Sequence, residues 1–413
     1  MKKIAIIGTG ISALTCAWKL KEDYQLSLFD AASYIGGHTN TIEVEEEGKK
    51  LNIDTGFIVF NEWTYPRFIE MMDEAGVESQ PSDMSFSVKC EGSGLEYNGT
   101  SLNSLFAQRS NILRPKFWKM ITDILKFNRQ AQSWLLNAAE DDATTLGEFI
   151  QEYGSTFKDK YIMPMTAAIW SAGRDSVVNF PLRFYLNFFK NHGFLSVDER
   201  PQWRVIKNGS KSYIPKLISG IEDRIFLQCP VNSVERRESK VIVNSGRGKE
   251  EFDGVIFCCH SDQALKILDK PTAAESQILG AIPYQDNTAI LHSDENVLPR
   301  RPLARAAWNY HLNESVSDLA SLTYNMNILQ SLQCKKSYNV SLNYHNIDES
   351  KIIRRIKYQH PVFTLEGIKA QQRYKEINAL NNCFYAGAYW RYGFHEDGVV
   401  SALRAVASVR EKL

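Results

Sequence analysis

The chain has 413 residues, of which 44% are hydrophobic and 11% aromatic, and its formal net charge is zero. This length is enough for two interleaved domains with a ligand cavity between them. Zero net charge excludes attraction of nucleic acid through the overall field of the protein, and we expect no nucleic-acid partner. Any attraction to an anionic surface must therefore come from a local patch.

The cysteine pattern bears on redox compartment and metal content. Seven cysteines are spread along the chain without C-x-x-C or Cys/His metal spacing. This pattern is typical of reduced thiols rather than of a disulfide framework. The first apolar run ends at Gly8, too early for a signal-peptide core, and no stretch reaches the ~18 apolar residues of a spanning helix. We therefore expect a cytosolic protein without a structural metal.

The first predicted elements are a strand, a tight turn and a helix. Ile4–Ile7 is an apolar run of strand length, and Gly8, Gly10 and Ala13 follow it in a G-x-G-x-x-A pattern. In a dinucleotide site the first glycine permits the turn, and the second lets the backbone approach a pyrophosphate. The small third residue keeps the helix close to the sheet. The order of elements thus predicts a nucleotide-binding domain.

The start of that helix and the next strand complete the fingerprint. Backbone N–H groups of the first turn, beginning at Ile11, and the hydroxyl of Ser12 are predicted to bind phosphate. A second predicted strand, Gln25–Phe29, ends at Asp30, about 20 residues past the glycines. A carboxylate there accepts hydrogen bonds from the adenosine ribose and disfavours a 2′-phosphate.

A glycine pair after the acid indicates which nucleotide is bound. Gly36 and Gly37, followed by His38 and Thr39, are not part of the minimal NAD fingerprint. Together with the first glycines and Asp30, the pair resembles the opening of the FAD-dependent amine oxidase, phytoene desaturase and protoporphyrinogen oxidase superfamily. In that superfamily the pair passes the flavin side of FAD, and the next residue is usually arginine. The resemblance implies FAD, with His38 in the place of the arginine.

Two further segments are similar to the same superfamily. Leu51–Phe57 resembles the stretch that leads back toward the flavin, which implies that Thr55 and Gly56 lie at the cofactor. Cys229–Val234 resembles the hairpin in which a valine backbone pairs with adenine, which implies that role for Val231. Cys258 and Cys259 are interpreted as buried strand residues rather than redox centres.

The C-terminal segment, which is far from the first glycines in sequence, also resembles the superfamily. A predicted strand contains Gly387, an aromatic loop follows, and a helix is predicted from Gly398 to the end of the chain. The resemblance implies that this helix points its N-terminus at the flavin, with Gly387, Asp397, Gly398 and Val399 at the cofactor. The acid that often follows the strand glycine is Ala388 here.

The aromatic loop supplies the candidate catalytic residues: Tyr389, Trp390, Tyr392 and His395. The three aromatic rings are predicted to form a wall that orients substrate near the flavin. His395 either exchanges protons near neutral pH or makes a structural hydrogen bond to the adjoining loop.

The resemblance extends over nearly the whole chain and is closest to a bacterial branch of predicted NAD/FAD-binding, amine-oxidase-like proteins. It implies an α/β fold, in which a glutathione-reductase-like, Rossmann-type FAD-binding domain contains an inserted α+β substrate domain. We predict that residues 1–61, 200–265 and 376–413 form the FAD-binding domain. Residues 62–199 and 266–375 then form the substrate domain.

Residues 106–136 alternate basic with aromatic and aliphatic side chains, which predicts an amphipathic helix. Such a helix either lies at a membrane interface or is an ordinary packed helix with a solvated basic face. The segment Met163–Ser171 has two interpretations as well, as a cavity wall or as core.

No phosphate loop, nucleophile elbow, paired-carboxylate motif or H-E-x-x-H occurs in the sequence. A bound flavin carries the redox chemistry itself, so no catalytic triad is required. We therefore predict a FAD-dependent oxidoreductase that removes hydride from a small apolar or lipid-like substrate. The alternatives are an amine oxidase that releases ammonia and peroxide, and a FAD-binding partner protein without turnover.

Overall fold

The computed structural model describes residues 1–139, 141–171, 174–196, 199–312 and 320–413. The strands in these ranges are β1 (Lys3–Ile7), β2 (Gln25–Phe29), β3 (Thr41–Glu46), β4 (Lys49–Asp54), β5 (Phe60–Asn61), β6 (Ser79–Ser82), β7 (Phe86–Cys90), β8 (Glu96–Asn98), β9 (Trp203–Ile206), β10 (Ile225–Phe226), β11 (Val231–Arg237), β12 (Lys240–Ser245), β13 (Gly248–Phe252), β14 (Gly254–Phe257), β15 (Tyr284–His292), β16 (Trp308–Leu312), β17 (Leu322–Asn325), β18 (Asn339–Leu342), β19 (Ile352–Pro361) and β20 (Cys383–Tyr385).

The α-helices of the same ranges are α1 (Ile11–Leu20), α2 (Pro66–Glu74), α3 (Leu102–Leu105), α4 (Pro115–Asn137), α5 (Leu146–Phe149), α6 (Ser155–Phe157), α7 (Met163–Trp170), α8 (Arg174–Val178), α9 (Leu182–Asn191), α10 (Ile214–Ile218), α11 (Ser261–Ile267), α12 (Ala273–Gly280), α13 (Met326–Leu329), α14 (Leu365–Gln372) and α15 (His395–Lys412). A π-helical turn, Lys158–Ile162, joins α6 to α7.

A parallel sheet in the order β10-β2-β1-β14-β20 forms the centre of the nucleotide-binding region. Its inner strands are apolar because both faces of the sheet are covered, and Ile4, Ala5 and Ile6 of β1 are fully buried. The strands come from the beginning, the middle and the end of the chain. The expected Rossmann-type domain built from both ends is therefore confirmed.

Helices α1 and α15 pack against each other on one face of this sheet. A Cβ on Gly398 would lie 2.7 Å from Cγ2 of Ile11, so close packing of the two helices requires glycine at this position. Helix α15 begins at His395 rather than at the predicted Gly398.

A seven-stranded mixed sheet, in the order β19-β15-β18-β17-β16-β7-β8, and a helical layer from α4 to α9 make up most of the rest of the molecule. Their shared core is rich in aromatic rings, among them Phe127, Phe157, Trp170 and Tyr185. Two smaller three-stranded sheets, β11-β12-β13 and β5-β9-β6, and the β3-β4 hairpin connect the parts. The boundaries given for the two domains stay a prediction.

The predicted amphipathic helix is shorter than residues 106–136. Helix α4 begins at Pro115, where a fixed φ favours the first helical position, and a 3₁₀ turn, Arg109–Leu113, precedes it. Its buried face repeats every three or four residues: Phe117, Met120, Asp123, Phe127 and Ala131. The helix is therefore amphipathic, as its sequence pattern indicates. None of the helices in the described ranges has the length and apolar character needed to cross a bilayer.

Candidate functional site

A cavity of about 860 Å³ lies between the carboxyl ends of the parallel strands and the seven-stranded sheet. It is within the range of small-molecule and cofactor sites. One end, here called the nucleotide end, is lined by residues 7–12, 29–31, 36–38, 230–232, 258–260, 263, 266, 267, 359 and 360. The other, here called the apolar end, is lined from the helical layer and from β7, β16 and β17.

The turn after β1 has the form predicted from its glycines. Gly8 has φ +108°, and a Cβ there would lie 2.9 Å from the carbonyl oxygen of Cys258, so both backbone and space require glycine. A Cβ on Gly10, in contrast, would have no atom within 4 Å. The cavity is therefore open directly before the N-terminus of α1, where backbone N–H groups favour an anion.

The first turn of α1 combines cavity contacts with packing. Ile11 and Ser12 line the cavity, and the turn has no acidic residue. The Ser12 hydroxyl donates to the carbonyl oxygen of Gly398 at 3.1 Å, so it also holds α15 in place. Ala13 is fully buried in the core and does not line the cavity. The predicted packing role suits Ala13, whereas direct contact with a cofactor does not.

Asp30 and Val231 lie at the nucleotide end, as predicted. Oδ2 of Asp30 accepts a hydrogen bond from Oγ1 of Thr9 at 2.5 Å, and Oδ1 accepts one from the backbone N–H of Ala32 at 2.8 Å. These bonds fix the carboxylate at the end of β2. Two oxygens with further lone pairs remain suited to ribose hydroxyls.

The glycine pair passes close to the first turn. Gly36, Gly37, His38 and Gly56 all line the cavity. A Cβ on Gly56 would lie 2.3 Å from the carbonyl oxygen of His38, which itself accepts from the N–H of Phe57 at 2.7 Å. The two segments therefore hold each other in position.

Two predicted cofactor residues of these segments face away from the cavity. Thr39 is hydrogen-bonded to the hydroxyl of Tyr213 and, at 3.1 Å, to Nε2 of His395. Oγ1 of Thr55 donates to the carbonyl oxygen of Asn40 at 2.8 Å. Each hydroxyl is used to fix the chain, and the cofactor roles of Thr39 and Thr55 stay predictions.

The C-terminal segment contacts the cavity with Gly387 but not with Asp397, Gly398 or Val399. The Asp397 carboxylate accepts from the N–H groups of Tyr392 and Phe394, at 3.1 and 2.9 Å, and so caps its own helix. Burial raises the pKa of Asp397 to about 6. Gly398 contacts α1 and Val399 is in the core, so neither lines the cavity, and the cofactor roles of Asp397, Gly398 and Val399 stay predictions.

The aromatic loop is divided between cavity and core. Tyr389 and Tyr392 line the cavity, whereas Trp390 does not. The Trp390 ring is 3% exposed and packs edge-on against Tyr374, with 4.8 Å between ring centroids. The structure thus gives Trp390 a packing role, and its catalytic assignment stays a prediction.

His395 lines the cavity but is held on both sides. Its ring stacks on Phe57 at a centroid distance of 3.6 Å, and its Nε2 is hydrogen-bonded to Thr39. Burial lowers the pKa of His395 to about 3, so the ring is neutral at physiological pH. Burial therefore disfavours proton exchange by His395 near neutral pH, and its structural hydrogen bond is made to Thr39 rather than to the adjoining loop.

The sequence model of a family described as flavin containing amine oxidoreductase matches residues 11–323. The chain belongs to this family. The expected family, the cofactor FAD and the assignment as an enzyme are confirmed. The alternative of a FAD-binding partner without turnover is therefore set aside.

Solved structures agree on the fold of this family member. Cyclohexylamine oxidase from Brevibacterium oxydans IH-35A is 14% identical, with a TM-score of 0.72 over 100% of this chain and 99% of that chain. The CLA-producing fatty acid isomerase from P. acnes is 14% identical, with a TM-score of 0.69 over 98% of each chain. Putrescine oxidase bound to putrescine is 14% identical, with a TM-score of 0.68 over 99% of each chain. No curated protein sequence matches the chain.

The nucleotide end of this flavin-containing amine oxidoreductase fits FAD. The open space before Gly10 is a cradle that a Cβ would fill, and Asp30 stands beside it. The fit to FAD therefore depends on the glycine turn, the N-terminus of α1 and Asp30.

The sequence analysis missed two histidines of the nucleotide end, His260 and His360. Cys258, Cys259 and His260 directly follow β14, which is adjacent to β1, so the carboxyl-end rule for parallel sheets gives a signal for His260. Cys258 and Cys259 lie after the strand and line the cavity, and burial raises the pKa of both thiols. His360 is on β19 of the other sheet, and no local pattern indicates it.

The apolar end explains the segment Met163–Ser171. Met165, Ile169 and Trp170 line the cavity, and the Trp170 ring also packs 4.6 Å from that of Phe188. The segment Met163–Ser171 therefore forms part of the cavity wall and also packs in the core. The other large rings of this end are Phe86, Phe194, Trp203, Trp308, Tyr324, Phe363 and Tyr392.

Proposed function

We propose that this enzyme removes hydride from a small apolar or lipid-like molecule bound at the apolar end of the cavity. The observation that supports this proposal is the lining of that end, which consists mainly of aromatic rings with Met84, Met165 and Ile169. Burying an apolar substrate there is favourable by about 25 cal/mol per Å² of surface removed from water. FAD, when bound, supplies the two-electron acceptor.

The charges of the cavity favour an acidic over an ammonium end on the substrate. Asp30 is the acidic residue among the described cavity residues, and it lies at the nucleotide end. At the apolar end the charged residue among those described is Arg200, which is exposed; burial raises the pKa of Tyr161 to about 12, and Arg200 lies close enough to oppose that rise. A carboxylate of the substrate can pair with Arg200, whereas an ammonium group finds no carboxylate among the described cavity residues of this end.

The histidine of the apolar end does not supply a charge. Nε2 of His192 is hydrogen-bonded to Thr64 at 3.2 Å, and Nδ1 to the carbonyl oxygen of Phe188 at 2.9 Å. Burial lowers the pKa of His192 to about 4, so the ring is neutral. The residues of this end therefore act by holding the substrate and excluding water.

Amine oxidation is the second candidate, supported by family membership and by the aromatic rings Tyr389 and Tyr392, whose faces can attract a cation.

Anaerobic titration of the FAD-loaded protein distinguishes the two candidate reactions. Bleaching of the flavin band by long-chain unsaturated acids, and not by primary amines, is expected. Bleaching by amines, with ammonia and peroxide released in air, would replace the first proposal by the second.

We further propose that the face formed by α3, α4 and the turn between them lies on an anionic bilayer on the cytosolic side. Its exposed apolar residues are Leu102, Ile112, Leu113, Trp118, Leu125 and Leu136, with Leu113 86% and Leu136 81% exposed. Six cations accompany them: Arg109, Arg114, Lys116, Lys119, Lys126 and Arg129. Asp123, the one acid in residues 102–137, is buried. Apolar side chains among cations are typical of interfacial helices.

This face adjoins the cavity, since Gly99 and Thr100 line the cavity and Leu102 follows them. Flotation with vesicles tests the contact. The protein is expected to float with phosphatidylglycerol vesicles but not with phosphatidylcholine vesicles, and Leu113→Ser with Trp118→Ser is expected to abolish flotation. Leu380→Ser, at an exposed leucine outside this face, is the matched control. Equal flotation of wild type and double variant would contradict the proposal.

A further inference from the structure

A π-helical turn, Lys158–Ile162, interrupts the helical layer between α6 and α7. The sequence gives a reason for it. Pro164 has no N–H, so the carbonyl oxygen of Lys160, four residues earlier, loses its usual helical donor, and the proline ring would crowd that carbonyl. A wider turn relieves the crowding, and such turns frequently lie at functional sites.

The turn is held by bonds from the neighbouring sheet and from α7. The hydroxyl of Tyr97, on β8, donates to the carbonyl oxygen of Lys160 at 2.5 Å. Nζ of Lys160 donates to Sγ of Cys90, the last residue of β7, at 3.2 Å. The hydroxyl of Thr166 donates to the carbonyl oxygen of Ile162 at 2.7 Å. These three bonds fix the turn and the first residues of α7.

Three side chains of the turn and of α7, spaced four residues apart, line the cavity: Tyr161, Met165 and Ile169. Each of them is partly exposed, whereas residues 162–164 and 166–168 are buried. The exposed surface of these three residues is therefore surface of the cavity wall. Tyr161 supplies the one hydroxyl among them.

Phe157, four residues before Tyr161, belongs to the core instead. It is fully buried and packs against Phe127 of α4, with 5.6 Å between ring centroids. In an uninterrupted α-helix, side chains four residues apart lie on the same face. The π-helical turn thus separates Phe157 from the cavity and places Tyr161 in its wall.

The hydroxyl of Tyr161 makes no hydrogen bond to another described residue. Neighbouring phenols do: Tyr97 and Tyr153 each donate to a protein oxygen, and Tyr185 accepts from a threonine hydroxyl. Burial raises the pKa of Tyr161 to about 12, so the phenol keeps its proton at physiological pH. A hydrogen-bond donor is therefore available to a ligand at this point of an otherwise apolar wall.

Arg200 supplies a positive charge near this phenol. Both residues line the cavity, and the guanidinium lies close enough to oppose the rise in the pKa of Tyr161. The group that suits the two donors accepts hydrogen bonds and is negatively charged. A carboxylate has two oxygens, one for the guanidinium and one for the phenol, whereas Arg200 repels an ammonium group.

We propose that Tyr161 and Arg200 together bind the carboxylate of an acid with an apolar chain, and that Tyr161 is the residue that makes the site specific for it. The inference rests on the proposed function and names its substrate class. Arg200 alone attracts any anion, but the phenol of Tyr161 on a fixed turn sets where the carboxylate lies. The chain of the acid then lies along Met165 and Ile169, which orients it in the cavity.

Calorimetric titration of the full-length, FAD-loaded protein without oxygen tests this recognition, with decanoate and its methyl ester as probes. Tyr161→Phe keeps the ring and removes the hydroxyl, and it is expected to weaken decanoate binding about tenfold or more. Binding of the ester should weaken distinctly less, because hydrogen bonds to a charged acceptor are roughly twice as strong as those to a neutral one.

Tyr153→Phe is the matched control, since its hydroxyl is bonded within the same helical layer and does not line the cavity. It should leave the binding of both probes unchanged. Unchanged decanoate binding in Tyr161→Phe, or equal weakening of acid and ester, would overturn the proposal.

The wild type gives a second test that does not depend on how a variant folds. It is expected to bind decanoate more tightly than decylamine, and Arg200→Gln should reduce this preference. Tighter binding of decylamine by the wild type would overturn the proposal as well.

Failure of this inference and failure of the proposed reaction can be distinguished, because these titrations measure binding alone. If unsaturated acids do not bleach the flavin but decanoate binding depends on Tyr161, the proposed reaction is wrong and the carboxylate site stands. If the acids bleach the flavin and decanoate binding does not depend on Tyr161, only the carboxylate site is wrong.

Discussion

The two ends of the cavity are built in different ways. The nucleotide end is largely backbone: a glycine turn, a helix N-terminus and the ends of parallel strands, with few side chains added. The apolar end is made of large side chains, each supplied by a different element such as β7, α7, α9 and β16. A substitution at the first end therefore changes the backbone that holds the cofactor, whereas one at the second changes only the shape offered to the substrate.

The largest expected effect lies between the two ends, in the aromatic loop. Trp390→Ala is expected to destabilise the protein by about 4 kcal/mol, since a buried ring is lost from the core. Urea unfolding measures this change. Because Trp390 does not line the cavity, the folded variant should keep the flavin spectrum and the KM of the wild type. Tyr392→Ala, at a ring that does line the cavity, is the control and should raise KM instead.

Gly8→Ala tests the backbone character of the nucleotide end. With φ +108° and a carbonyl oxygen 2.9 Å from the new Cβ, the variant is expected to lose about 3 kcal/mol of stability and most of its FAD. Gly48→Ala is the matched control, because Gly48 also has positive φ but open space around its Cβ position. It should cost about 1 kcal/mol and leave the flavin content unchanged. Full flavin content in Gly8→Ala would contradict the assignment.

Asp397 gives a pH-dependent test of the helix that supports the loop. Its pKa is raised from 3.8 to about 6, so the folded protein binds this proton more tightly than the unfolded chain. The contribution of Asp397 to stability therefore falls as the pH rises from about 4 to about 6, by roughly 2–3 kcal/mol. Urea unfolding across this range should show that fall in the wild type relative to Asp397→Asn. The exposed Asp83→Asn serves as control, and parallel profiles of wild type and Asp397→Asn would contradict the prediction.

The smallest expected effect concerns the apolar end. Arg200→Gln should raise KM about tenfold for a substrate with a carboxylate, because one charged pair is lost, and should leave the flavin content unchanged. A methyl ester of the same substrate supplies the control, since it should show no difference between the two proteins. An equal rise of KM for acid and ester would remove Arg200 from substrate recognition.

The same contrast between the two ends explains which parts of the site the sequence alone can predict. Gly8, Gly10 and Asp30 act through the chain immediately around them, so their spacing indicates both fold and site. Asp397 and Val399 do not line the cavity, because α15 begins at His395 and so directs them toward their own loop and the core. A cap and a cofactor ligand look alike in sequence when the element boundary is uncertain.

Other residues of the site carry no local signal. His360 and Trp203 reach the cavity only through the pairing of β19 with β15 and of β9 with β5 and β6. Trp390 fits an aromatic wall as well as a core in sequence, and only packing against Tyr374 decides between them. Such positions depend on tertiary contacts between distant segments.

The discontinuous parallel sheet has a consequence for synthesis of the protein. Strand β14 pairs on one side with β1 and on the other with β20, which lies about 130 residues later in the chain. Until residues 383–385 leave the ribosome, β14 is an unpaired edge, and until α15 follows, α1 has an uncovered apolar face. Such surfaces favour aggregation and recruit chaperones. Docking of α15 removes the exposed face of α1 and gives the hydroxyl of Ser12 its acceptor on Gly398, so the nucleotide turn reaches its final support only when the last residues are added.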